Sequence, residues 1–187
     1  MSGRVSPTTA QHVVDEFGDR LALILDGGAC HQGIESTVIS LTEDRPRLLR
    51  PGAVPVDVLE SLLGEAVEEL PIGSSDISRD RFEAPGMMTS HYAPVTPVLF
   101  KHDYRSSEET DQRVGVLWFS STEPEFPYET ILRLSQNNDP LEIAPKLFAS
   151  LRELDALKLN RIIVDTCPPK GLGLAVMDRL RRATVRT

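Results

Sequence analysis

The stretch LEIAPKLFASLRELDALKLNRIIVD, residues 141–165, decides the fold. Residues 141–157 read as a long amphipathic helix, and RIIVD, residues 161–165, is an apolar run of strand length. The same alternation continues outward. Residues 95–100 and 114–119 read as strands, residues 131–134 as a shorter one, and residues 172–183 as a final helix. Strands alternating with helices imply a parallel, open α/β sheet covered by helices, a small Rossmann-like domain over residues 95–187. Trp118, Phe119 and Phe148 are expected in its core. No GxGxxG follows a strand and no Walker loop is present, so the fold alone licenses no nucleotide site.

Ahead of this domain the texture changes. PIGSSDISRDRFEAPGMMTSHYAP, residues 71–94, is rich in Gly, Pro and Ser without a steady period, and reads as an interdomain linker that is either disordered or a functional lid. Residues 1–70 have an α+β character. Ser6 and Pro7 look like an N-cap and first helical residue ahead of Val13, Val14 and Phe17, with Gly18 ending the helix. LALILD, residues 21–26, is expected to be a strand; STVISL and RLLR are two more, separated by the turn-like TEDRP, and VDVLESLLG is a short helix.

The chain has 187 residues, 40% hydrophobic and 26% charged, enough for one domain or two small ones. No run approaches the roughly 20 apolar residues needed to cross a bilayer, and the first residues, MSGRVSPTT, lack a secretory apolar core, so a soluble, cytoplasmic protein without a membrane partner is expected. Cys30 and Cys167 show no disulfide or zinc spacing and read as reduced, structural thiols. The net charge of −8 argues against a broad nucleic-acid interface. The one basic cluster, Arg179, Arg181, Arg182 and Arg186, reads as a solvated helix face.

No nucleophile stands beside a general base, so no catalytic residue is assigned. Ser6 lies near a helix N-terminus, where backbone donors favour anions, although an ordinary cap is the plainer reading. Ser36 and Thr37 follow the flexible Gly33-Ile34-Glu35 and could face a pocket at the sheet end, or simply be strand formers. Arg50 precedes Pro51-Gly52, where a guanidinium can fork onto phosphate or carboxylate, or make a surface ion pair. Asp26 and Glu35 are lone carboxylates and weak metal or base candidates, and no metal site is assigned. His91 and Tyr92 could close over a ligand or merely pack.

Taken together, several segments resemble one family. SGRVSPTTAQHV looks like the SG-x-x-SPT segment of threonylcarbamoyl-AMP synthases with a YrdC-like catalytic domain. LILDGG, GIESTV, RLLRPGAV, APGMMTSHYAP and GLGLAVMDRLRRA follow in the family's order. The resemblance implies the C-terminal part of a YrdC-like α+β domain over residues 1–70, a linker or lid over 71–94, and a Rossmann-like domain over 95–187. It implies that Ser6, Arg50 and Tyr92 contact ATP, that Ser36 contacts threonine, and that His91 and Tyr92 form a lid. The implied reaction joins L-threonine and bicarbonate as a carbamate that attacks the α-phosphate of ATP and expels pyrophosphate. Positioning and charge neutralisation can drive it without a nucleophile, with Mg2+ carried on the nucleotide.

Two features depart from the family. Its K-x-R motif, and an S-x-N just before the SG, would fall upstream of Met1, while Met88 and Ser90 stand where some relatives are basic. The chain is therefore expected to be an N-terminally truncated synthase, inactive alone, that calls for a separate N-terminal fragment or tRNA-modification partner proteins. The alternative is a regulatory or ligand-binding module centred on the Rossmann-like domain.

Overall fold

The computed structural model describes residues 3–69, 91–105, 113–125 and 127–185. Four parallel strands form the C-terminal sheet: β4 (Val98–Phe100), β5 (Val114–Trp118), β6 (Thr130–Arg133) and β7 (Arg161–Val164), in the order β4-β7-β5-β6. The α/β alternation read from the sequence is realised. All five β5 residues are buried, which is why VGVLW is an unbroken apolar run rather than an alternating one. Helix α3 (Pro140–Ala156) starts on the Asp139 cap, whose Oδ1 accepts from the Leu141 amide at 2.9 Å, with Pro140 in the first turn where its missing N–H costs nothing. It buries Ile143, Ala144, Leu147, Phe148, Leu151 and Leu154. Helix α4 (Leu172–Thr184) packs beside α3. As expected, Trp118, Phe119 and Phe148 are core residues.

The N-terminal region is thinner. Strand β1 (Val38–Ser40) pairs antiparallel with β2 (Arg47–Arg50), and β3 (Glu68–Glu69) adds in parallel on the far side of β2. Helices α1 (Ala10–Phe17) and α2 (Val56–Leu63) bury no residue, and each ends at a glycine, Gly18 and Gly64, with positive φ. The short β3 has no apolar signal in the sequence and was not anticipated.

Three readings are corrected. The cap of α1 is Thr9, whose side chain accepts from His12 N, not Ser6, whose hydroxyl is engaged elsewhere. Residues 21–26 form no strand: among the described residues no strand lies beside the segment to take its backbone hydrogen bonds, and Leu23 and Leu25 are exposed at 74% and 85%. The arginines of α4 are not a solvated face, since Arg179 is buried at 1% and Arg182 is paired with Asp178; Arg186 lies outside the described residues. Of the thiols, Cys167 is buried and pushed up to about 11 by burial and then by Asp165, whereas Cys30 is exposed. Most of the linker, including Met88 and Ser90, lies outside the described residues.

Candidate functional site

The site is assembled where the β1–β2 hairpin meets the linker and α4. Arg50 closes β2, and its side chain turns back across the hairpin. Its Nε donates to the Ser36 carbonyl at 3.1 Å and its Nη2 to Ser36 Oγ at 3.2 Å. Arg50 is buried at 9%, while Ser36 is exposed, so the guanidinium is held from behind and the hydroxyl faces outward. Two further contacts lock these segments in register. Thr37 Oγ1 donates to the Val54 carbonyl at 2.7 Å and accepts from the Val54 amide at 3.0 Å. Gly52 lies directly against the backbone of Glu35, Ser36 and Thr37, where any Cβ would collide with main-chain atoms. A glycine is therefore required two residues after Arg50 by close approach.

Ser6 is joined to this hairpin through Glu35. Its hydroxyl donates to Glu35 Oε1 at 2.6 Å, and Glu35 Oε2 accepts from Arg179 Nε at 2.8 Å. Burial by itself raises the Glu35 carboxyl, but the Arg179 charge and the bonds from Ser6 and Arg179 outweigh it and hold the group below its usual range. Both Glu35 oxygens are thus committed. Asp26 is engaged separately, accepting from the Gly28 amide at 2.9 Å, so these two carboxylates do not form a shared metal site. Among the described residues no group of three or more His, Cys, Asp or Glu side chains comes together in metal-binding range.

His91 and Tyr92 are the first described residues after Glu69. Tyr92 has φ 61°, an uncommon conformation for a bulky side chain, and is 1% exposed. Its ring stacks on Phe148 at 5.3 Å, and the Arg179 guanidinium lies over it at 5.1 Å. His91 meets Tyr92 edge-on at 4.1 Å, and its amide donates to the Arg182 carbonyl at 3.4 Å. His91 Nδ1 is buried with no hydrogen-bond partner. The His91 imidazole is held below its usual pKa, first by burial and then by the charges of Arg182, Arg179 and Arg50, with Glu35 opposing. Ala93 N donates to Gly3 O at 3.0 Å, tying the linker's end to the first described turn.

The five candidates Ser6, Ser36, Arg50, His91 and Tyr92 therefore share one neighbourhood, around Glu35. The residues underrated by sequence reasoning are Glu35 and the α4 residues Asp178, Arg179 and Arg182. A signal for Arg179 was present. It stands four residues from both Ala175 and Ala183, two buried positions on the inward stripe of α4, and so had to point inward.

Residues 54–185 match the family described as "Threonylcarbamoyl-AMP synthase, C-terminal domain", and residues 1–52 match one described as "Telomere recombination". Threonylcarbamoyl-AMP synthases of Pyrococcus abyssi and Bacillus subtilis are 36% and 33% identical, each over 98% of this chain and 55% and 54% of their own length. The Schizosaccharomyces pombe enzyme is 34% identical over 97% of this chain and 50% of its own. The crystal structure of P. abyssi Sua5 complexed with L-threonine superposes with a TM-score of 0.83, at 36% identity, covering 98% of this chain and 55% of that one. A P. abyssi Sua5 variant with an adjacent histidine and tyrosine changed to alanine superposes at 0.81. The chain spans about half the length of the curated relatives it matches. With residues 54–185 matched to its C-terminal domain and relatives of 33–36% identity spanning nearly the whole chain, the chain belongs to the threonylcarbamoyl-AMP synthase family.

Proposed function

We propose that this chain carries the threonine- and nucleotide-facing segments of an L-threonylcarbamoyladenylate synthase. The enzyme converts L-threonine, bicarbonate and ATP to threonylcarbamoyl-AMP and pyrophosphate, for threonylcarbamoyl-adenosine modification of tRNA, and acts in the cytoplasm. The observation that carries the reading is the Arg50–Ser36 pair, a buried guanidinium bonded to an exposed hydroxyl in a segment held rigid by Thr37 and Gly52. A carboxylate or phosphate meeting this pair gains charge neutralisation without reorganisation of the protein, which a nucleotidyl transfer needs more than it needs a nucleophile. Ser36 faces threonine; Arg50, Ser6 and Tyr92 serve ATP, and His91 with Tyr92 anchors the lid. The P. abyssi relative solved with L-threonine supports threonine as a ligand of this chain.

Tyr92 contributes as an anchor rather than by an open ring face, because Phe148 and Arg179 occupy its surroundings. Magnesium would be carried by the ATP phosphates, where it would neutralise their charge, since the Glu35 carboxylate is already taken by Ser6 and Arg179. The domain division at residues 1–70, 71–94 and 95–187 goes with this reading.

Calorimetric titration of the 187-residue chain with L-threonine tests the assignment. Binding by the wild type, weakened about tenfold or more in S36A and R50M, is expected. No binding by the wild type, or equal binding by the variants, would overturn it.

A further inference from the structure

Helix α4 sends one side chain across to the other region of the molecule. Arg179 has 0% side-chain exposure and is held by two carboxylates: Glu35 through Nε at 2.8 Å and Asp178 through Nη1 at 2.6 Å. Asp178, itself 3% exposed, also accepts from Arg182 Nε at 2.9 Å. The four side chains form a group with no net charge in which Glu35 is the one member outside α4, separated from Arg179 by 144 positions. Taking a guanidinium out of water is costly unless its partners are placed for it, and an apolar residue would fill the stripe between Ala175 and Ala183 without that cost. What the ion pair supplies, and packing would not, is a fixed position for Glu35.

That position propagates. Glu35 holds the Ser6 hydroxyl with its other oxygen, and the next residue along the chain is Ser36. The same guanidinium lies over the Tyr92 ring, so this one side chain touches Glu35 and Tyr92 directly and reaches Ser6 through Glu35. We infer that Arg179 is a positioning residue which, from the C-terminal domain, sets the geometry of Ser6, Ser36 and Tyr92 through Glu35 and through the tyrosine face. The C-terminal domain then has a part in ligand binding without contributing a ligand contact. The ligand half of this inference rests on the function proposed above; the structural half does not.

The two halves are separable by experiment. Hydrogen–deuterium exchange of R179M, with E35Q as a second variant that leaves α4 intact, is expected to accelerate in residues 5–8 and 33–37 by about tenfold while β5 and β7 stay protected. The His91 titration, followed by NMR, supplies a signature that loss of packing would not produce. The charged groups around this imidazole are Glu35, Arg50, Arg179 and Arg182, so removing the Arg179 cation raises its midpoint and removing the Glu35 anion lowers it. L-threonine affinity is expected to fall about tenfold in R179M, and R179K is expected not to restore it, since an ammonium cannot reproduce the forked geometry. Unchanged exchange at 33–37, His91 midpoints moving the same way, or altered exchange with unaltered threonine affinity would each overturn the inference. If the wild-type chain binds no threonine, the functional reading falls, and exchange with the His91 midpoints decides the positioning role alone.

Discussion

The two regions of this molecule are stabilised differently. Residues 91–185 surround a four-stranded parallel sheet with α3 and α4 and bury side chains from nearly every element. Residues 3–69 have a three-stranded sheet of short strands, two helices with no buried residue, and exposed Leu21, Leu23, Leu25 and Leu62. The N-terminal contribution to the main core is slight, Val5 and Ile34, and both are packed into the cluster built by the C-terminal region. Polar ties do much of the remaining work. Arg152 of α3 donates to the Val5 and Ser6 carbonyls and to Glu16, and Gly33, at φ 65°, lies against the Ala144–Pro145 backbone so closely that a Cβ would not fit. A region that cannot bury its own apolar faces is ordered by what it leans on. The candidate site sits on that seam.

The comparison can be broken at several points, in decreasing order of effect. Phe148→Ala removes a core side chain that also supports Tyr92 and is expected to cost about 3–5 kcal/mol in chemical denaturation. A response confined to the N-terminal region would contradict a shared core. Arg152→Met severs three acceptors and is expected to cost about 1.5–3 kcal/mol. Proteolytic cleavage should then appear in residues 3–37 while the parallel sheet resists; cleavage as slow as in the wild type would mean that the first region is held without this tie.

Gly52→Ala forces the hairpin away from Glu35, Ser36 and Thr37, with an expected destabilisation of about 1–3 kcal/mol and weakened threonine binding in calorimetry. The acid limb sharpens the comparison further. Glu35 is held below its ordinary value of 4.5 in the folded chain, so its contribution is present above that pH and is lost as pH falls through the lower folded value. E35Q should therefore show a shallower acid limb than the wild type in urea denaturation repeated across pH, and parallel limbs would show that the Arg179–Glu35 tie stabilises little. The smallest effect is expected at Leu25→Ser, under about 0.5 kcal/mol by thermal melting, because this residue is 85% exposed. A larger loss would show that the segment is covered.

The C-terminal half was read well because its elements carry their own periodicity. Continuous apolar runs became β5 and β7, and the amphipathic stretch became α3 to within a residue at each end. In the N-terminal half, LALILD has strand composition but, among the described residues, no strand beside it, and a ladder needs two. The candidate site shows the same division. Ser36 and Arg50 were legible from their motifs, but their mutual hydrogen bond depends on the hairpin register, in which Val38 stands opposite Arg50 with an irregularity beside it. Glu35 read as a weak metal or base candidate because its partners lie 29 and 144 positions away.

By itself the sequence determined the α/β class, the order of elements in the C-terminal half and the family resemblance, since each of these rests on local pattern. Only the tertiary structure decided that Arg179 is buried rather than solvated, that Glu35 is its partner, and that Tyr92 is clamped between Phe148 and a guanidinium. The physical reason is that a charged side chain's state is set by the partner it meets, and here that partner comes from the other end of the chain.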